Sequence, residues 1–195
     1  MLRTLRSITL AALTAGSLLL VSASATFAAA VDPSTLTPPP PPGARCFTTG
    51  PNRVVCDTVL NSTFENVPDF EISCGLLYVS GTDFREGFRY YEDGLMVRRH
   101  VTVEVNATWS LSPTGDGPTV ILIARYGWWS VWPVPGTNDE GVLVAATGLD
   151  VKALGPGLGA VFQIAGRFDP DGSHTGIFSA FSDESLAALC AALDG

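Results

Sequence analysis

The chain predicts an all-β fold, an antiparallel meander closing into a small barrel or sandwich, with a C-terminal helix latched by a disulfide. Three observations carry this. Residues Met96 to Leu111 alternate apolar and polar side chains with a period of two, and turn residues recur between short apolar runs from Cys46 onward. Helical periodicity is confined to the last dozen residues. Strands and helices do not alternate along the chain, which argues against a parallel sheet.

The elements follow in order. Arg3 and Arg6 precede an uncharged apolar run, Ile8 to Val21, and small residues lead to Ala28-Ala29-Ala30. This is the order of a secretory signal peptide over residues 1–30, cleaved near Ala30. The run falls short of the roughly 20 residues of a bilayer span, so a secreted, extracellular product without a membrane span is expected. Residues 31–44 hold five consecutive prolines, Pro38 to Pro42, and read as a proline-rich linker, a semi-rigid stalk ahead of the domain. The domain itself occupies residues 45–195.

Four cysteines, Cys46, Cys56, Cys74 and Cys190, suit two disulfides in an oxidising compartment, with three pairings open. Cys46–Cys56 is favoured, because Gly50-Pro51-Asn52 turns the intervening chain into a short hairpin. Cys74 and Cys190 would then fasten the tail to an early strand. The eleven basic residues, two of them in the leader, face nineteen acids. That balance repels nucleic acid and anionic lipid and favours solubility.

Asp93-Gly94 is a two-residue hairpin signal joining a strand at Leu76 to Tyr91 with the alternating strand. A simple register from that turn sets Tyr90 opposite Val97, Phe88 opposite Arg99, Glu86 opposite Val101 and Phe84 opposite Val103. Pro113 to Gly117 turns into Val120 to Trp132, which is apolar on both faces. Strands are expected at Val142 to Leu149, Ala160 to Phe168 and His174 to Phe181. Ser182 then caps a helix over Asp183 to Leu193, whose Leu186, Leu189, Cys190 and Leu193 form one stripe.

Three segments together resemble a group of small secreted actinobacterial proteins of unassigned activity. They are the Cys74-Gly75 pair, the hairpin Phe88-Arg89-Tyr90-Tyr91-Glu92-Asp93-Gly94-Leu95-Met96-Val97-Arg98, and the closing Leu186-Ala187-Ala188-Leu189-Cys190-Ala191-Ala192-Leu193. The resemblance implies a compact β fold and carries no catalytic residue.

In the simple register Glu86 and Arg99 point inward among Phe84, Phe88 and Val101, where buried opposite charges must pair or line a wet cavity. These five residues are the candidate ligand pocket of a barrel interior. Trp128, Trp129 and Trp132 follow, with alternation sending Trp128 and Trp132 to one face and Trp129 to the other. An exposed indole there can stack on a sugar ring. Asp169-Pro170-Asp171-Gly172 reads as a hairpin turn rather than a calcium loop, and Gly155 to Gly159 as a turn rather than a phosphate cradle. His100 and His174 fall on different strands, so no metal or cofactor is expected. The functional expectation is a non-catalytic β-barrel binder of a small apolar or amphipathic molecule. The alternatives are a surface module for carbohydrate or cell-envelope polysaccharide, and a small extracellular hydrolase or isomerase with acids drawn from distant loops.

Overall fold

The computed structural model describes residues 28–137, 141–157, 159–178 and 182–194. Apart from Ala28 to Ala30, the segment expected to be a signal peptide lies outside the described residues. Eight antiparallel strands form one sheet in chain order: β1 (Arg45–Gly50), β2 (Arg53–Ile72), β3 (Gly75–Glu92), β4 (Leu95–Ser110), β5 (Val120–Val131), β6 (Val142–Gly155), β7 (Gly159–Phe168) and β8 (His174–Phe178). Helix α1 (Asp183–Asp194) ends the chain. The disulfides are Cys46–Cys56 and Cys74–Cys190, the latter tying α1 to the turn before β3. Two disulfides are consistent with an extracellular location. No described helix is long and apolar enough to cross a membrane.

The expected closure into a barrel or sandwich does not occur. There is one sheet, and among the described residues no ladder joins β1 to β8. Closure needs edge strands that run along one another's length. Here β1 has six residues and β8 five, beside inner strands of 10 to 20. Because β1 pairs only with Arg53 to Asp57, the rest of β2 is a sheet edge. That edge carries two register shifts, at Phe64/Val67 and Pro68/Glu71.

The hairpin register is also corrected. Asp93 and Gly94 have φ of 50° and 79° and make the expected tight turn, with Glu92 opposite Leu95 and Tyr91 opposite Met96. The next pair is Tyr90 with Arg98, so Val97 is the extra residue of a β-bulge. The pairs that follow are Phe88–His100, Glu86–Thr102 and Phe84–Glu104. A one-residue slip exchanges faces, so Phe84, Glu86 and Phe88 lie on the opposite side of the sheet from Arg99, Val101 and Val103. The bulge is held from two sides. Met96 N–H donates to the Thr37 carbonyl at 2.8 Å, and the Val97 carbonyl accepts from Trp132 N–H at 3.0 Å.

One face is covered at both ends. At one end the buried α1 residues Leu189, Ala192 and Leu193 share a core with Leu77, Ala107, Trp109, Val120, Leu122 and Phe162. Ser182 caps this helix, its Oγ accepting from Ser185 N–H at 3.1 Å. Trp109 donates its indole N–H to Asp69 at 2.8 Å and meets Phe70 and Phe162 edge-on. Ala107 sits hard against Gly81, where an added Cβ would come within 2.5 Å of the Ala107 backbone, so only glycine allows this approach.

At the other end lies the proline-rich segment. Rather than standing off as a stalk, it straps onto the sheet: Val31 N–H donates to Cys46 O at 3.0 Å and Thr37 N–H to Gly94 O at 2.8 Å. Tyr91 donates its hydroxyl to Pro38 O at 3.0 Å, and Arg89 reaches Pro39 O at 3.1 Å. Leu36 of this strap is buried with Cys46, Cys56, Tyr91, Met96 and Trp132. Apolar burial and these bonds together offset the backbone entropy of fixing the segment.

The Cys74–Cys190 bridge spans 116 residues. In the chain-entropy account a loop of that length is worth about 4 to 5 kcal/mol. Replacing Cys190 by Ser should therefore lower unfolding stability by about 3 to 5 kcal/mol in urea titrations, with α1 the first element to exchange its amide hydrogens.

Candidate functional site

Between strap and helix, the covered face is open in the middle. The odd-numbered residues of β3 run from Leu77 in the helix core to Tyr91 beneath the strap, and between them come Asp83, Arg85, Gly87 and Arg89. Their neighbours across β4 are Val105, Val103, Val101 and Arg99, and β5 adds Tyr126 opposite Val103 and Trp128 opposite Val101. This row is polar where a covered sheet face is usually apolar.

A pocket of about 70 Å³ lies at the strap end of the row, lined by Pro41, Thr58, Leu60, Arg85, Gly87, Arg89, Arg99 and Val101. Its shape follows from the residues. Gly87 contributes no side chain between Arg85 and Arg89, and a Cβ built there meets nothing closer than the Thr58 carbonyl at 4.0 Å. Glycine inside a strand weakens it, and often marks a place where something else approaches the backbone. Val101, 2 % exposed, and Thr58 supply buried walls, while Leu60 and Arg85 stand at the solvent side.

Towards the helix the chemistry turns acidic. Asp83 is 7 % exposed; one of its oxygens, Oδ2, accepts from Arg85 Nε at 2.6 Å. Its other oxygen, Oδ1, is buried with no hydrogen-bond partner among the described residues. A buried acceptor left unpaired costs about 1 to 3 kcal/mol. Tyr126 stacks on Trp128 with ring centroids 5.9 Å apart and planes 26° from parallel. Burial pushes the Tyr126 hydroxyl above its ordinary range, and the nearby Asp150 charge adds to the rise, so the group stays a hydrogen-bond donor. Asp150 is the extra residue of a β6 bulge, since Leu149 pairs with Ala165 of β7 and Val151 with the next residue back, Ile164. Burial holds its carboxyl above the usual carboxylate range.

Of the residues expected from sequence, Arg99 and Val101 line this pocket and Trp128 stands beside them, the Arg99 guanidinium lying 6.0 Å from the Trp128 ring centre. Phe84, Glu86 and Phe88 are on the other face, with Phe84 41 % exposed. Trp129 shares that other face with Tyr90, Arg98 and His100, around a shallow depression of about 260 Å³. Trp132 is core, 5 % exposed. Cys46, Cys56, Cys74 and Cys190 are all spent in disulfides. Asp169-Pro170-Asp171-Gly172 forms the β7–β8 turn, with Gly172 N–H donating to Asp169 O at 3.0 Å. No cluster of three or more His, Cys, Asp or Glu suited to a metal ion occurs among the described residues.

The sequence reading missed Thr58, Asp83, Arg85, Gly87, Arg89 and Asp150. One signal is present in the sequence: Asp83-x-Arg85-x-Gly87-x-Arg89 is a polar stripe at strand period. Set against known protein families, curated proteins and solved structures, the chain matches none.

Because folding raises the Asp150 pKa, stability is fully present below the unfolded value of about 3.9 and is lost as pH rises through the folded value. Asp150→Asn should raise the melting temperature at pH 7 and remove that part of the slope between pH 4 and 7. The gain should stay below the roughly 2 to 4 °C that 1 kcal/mol makes at this chain length, since the residue is only partly buried. Thermal melts across pH check it.

Proposed function

We propose that the protein is a secreted, non-catalytic binding protein that takes a small amphipathic molecule on the covered face, between strap and helix. The observation that carries this reading is the Gly87 pocket. A strand interior gives up a side chain there, a buried valine and the strap supply walls, and donors converge on the gap. Apolar walls with a few convergent polar groups are the usual make-up of a small-molecule site. The stacked Tyr126 and Trp128 continue the surface as an apolar platform with a hydroxyl at its edge. Catalysis is the weaker reading, because arginines converge on the pocket and the one carboxylate deepest in the row is engaged by Arg85.

Filling the gap tests it. Gly87→Val places a side chain in open space in a strand-favouring residue, so the fold should keep its melting temperature within a few degrees. Binding of a small molecule retained from culture medium, seen as extra mass by native mass spectrometry, should vanish in the variant. Retention of the same mass by Gly87→Val would remove the pocket from the account.

A second reading rests on Trp129. With Tyr90 and His100 it borders an open depression beside Arg98, whose guanidinium stacks 4.0 Å over the Tyr90 ring. That combination suits the face of a sugar ring, so cell-envelope polysaccharide is the alternative ligand. Under it, Trp129→Ala should lose retention on a polysaccharide resin by about fivefold or more, a stacked aromatic being worth about 1 kcal/mol or more.

A further inference from the structure

We infer that two copies of this chain pair edge to edge through β2, with Val59 to Thr63 of one running antiparallel to the same residues of the other about a twofold axis at Asn61. The inference goes beyond the ligand and stands on the sheet edge alone. β1 covers the outer side of β2 only as far as Asp57. From Val59 to Thr63 every residue is exposed, although the pairing of β2 with β3 stays regular from Arg53 to Phe64. Among the described residues no strand lies against this outer side.

The Cys46–Cys56 pair fixes which backbone groups point out. Cys46 and Cys56 are directly opposite with Cα atoms 4.1 Å apart, the close spacing of a non-hydrogen-bonded antiparallel pair. Cys56 therefore turns its N–H and C=O towards β3. The Cys46 carbonyl agrees, accepting from Val31 N–H on the far side of β1. Alternation along the regular strand then aims the N–H and C=O of Val59, Asn61 and Thr63 at the open edge. These three positions are symmetric about Asn61. Laid antiparallel on itself, the segment sets Asn61 opposite Asn61 and Val59 opposite Thr63, each a hydrogen-bonding pair, for about six ladder bonds.

Charge and side chains select a second copy as the occupant. Natural sheet edges are kept apart by charge, proline or bulges. Val59-Leu60-Asn61-Ser62-Thr63 has neither charge nor proline, in a chain whose formal charge of −8 makes copies repel elsewhere. The bulge at Phe64/Val67 and Pro68 come only beyond it. Just outside the window stand Arg45, exposed beside Asp57, at one end and exposed Glu65 at the other. The twofold arrangement brings each Arg45 to the Glu65 of the other copy, an opposite-charge contact at both ends that fixes register. Exposed Val59 meets Thr63, a pair of β-branched side chains, and the two exposed Leu60 side chains meet diagonally. Thr58 and Leu60 also line the Gly87 pocket, so the second copy would border each pocket on its solvent side.

Sedimentation equilibrium of the secreted protein over a range of concentrations tests this. The mass should rise towards that of a dimer, and hydrogen exchange at the Val59, Asn61 and Thr63 amides should slow as it does. The Leu60 and Ser62 amides, which point towards β3, should not change. Asn61→Pro removes both donors on the axis at a place where an edge strand accepts proline, and should raise the dimer dissociation constant about 10- to 100-fold. Asn61→Lys sets two like charges opposite each other and should raise it too. It is the variant to weigh if Asn61→Pro lowers the melting temperature of the dilute monomer. A monomer mass at the highest soluble concentration would overturn the inference. So would a dimer that both variants leave intact, since it must use another surface.

Discussion

A single sheet has two faces and no second layer of strands, so whatever covers its apolar side must come from elsewhere in the chain. Here the cover comes in two pieces from opposite ends of the sequence. Helix α1 closes one end, held by Cys74–Cys190, and the proline-rich strap closes the other, held by Tyr91, Arg89 and the Met96 backbone. Neither reaches the middle. Asp83, Arg85, Gly87, Tyr126 and Asp150 collect there because a polar group can remain on that face only where nothing apolar lies over it.

The Val97 bulge makes the two covers compatible with one sheet. It brings Met96 to the Thr37 carbonyl and Val97 to Trp132, and so ties strap, turn and the end of β5 together. It also sets which face every residue of β3 occupies relative to β4. The pocket therefore holds Arg85 and Arg89 rather than Glu86 and Phe88. A single inserted residue decides which side chains line the site.

Much of the architecture was legible in local pattern. The Asp93-Gly94 turn, the alternation from Val101 to Trp109, the Ser182 cap and the Leu189/Cys190/Leu193 stripe each act over a few residues, and each lies where the pattern puts it. The bulge was not legible, because its cause is a hydrogen bond to Thr37 and another to Trp132, partners far away in the chain. The strap escaped for the same reason: five prolines state a stiffness, while Tyr91 and Leu36 supply the attachment. Barrel closure failed on length, since strand periodicity says nothing about how far edge strands extend. The site suffered most. Its gap depends on knowing that Gly87 and Arg89 face the strap, and one slip in register reverses that.

The strap also imposes an order of events. Its anchor at Pro38 binds a tyrosine 53 residues further along, and its buried Leu36 waits on Met96 and Trp132. These residues are synthesised first and find their place only after the β3–β5 meander exists to receive them. Contacts so distant in sequence form slowly. Until then the apolar patch around Tyr91 and Met96 is bare, and the young chain carries a sticky surface that the mature molecule no longer has.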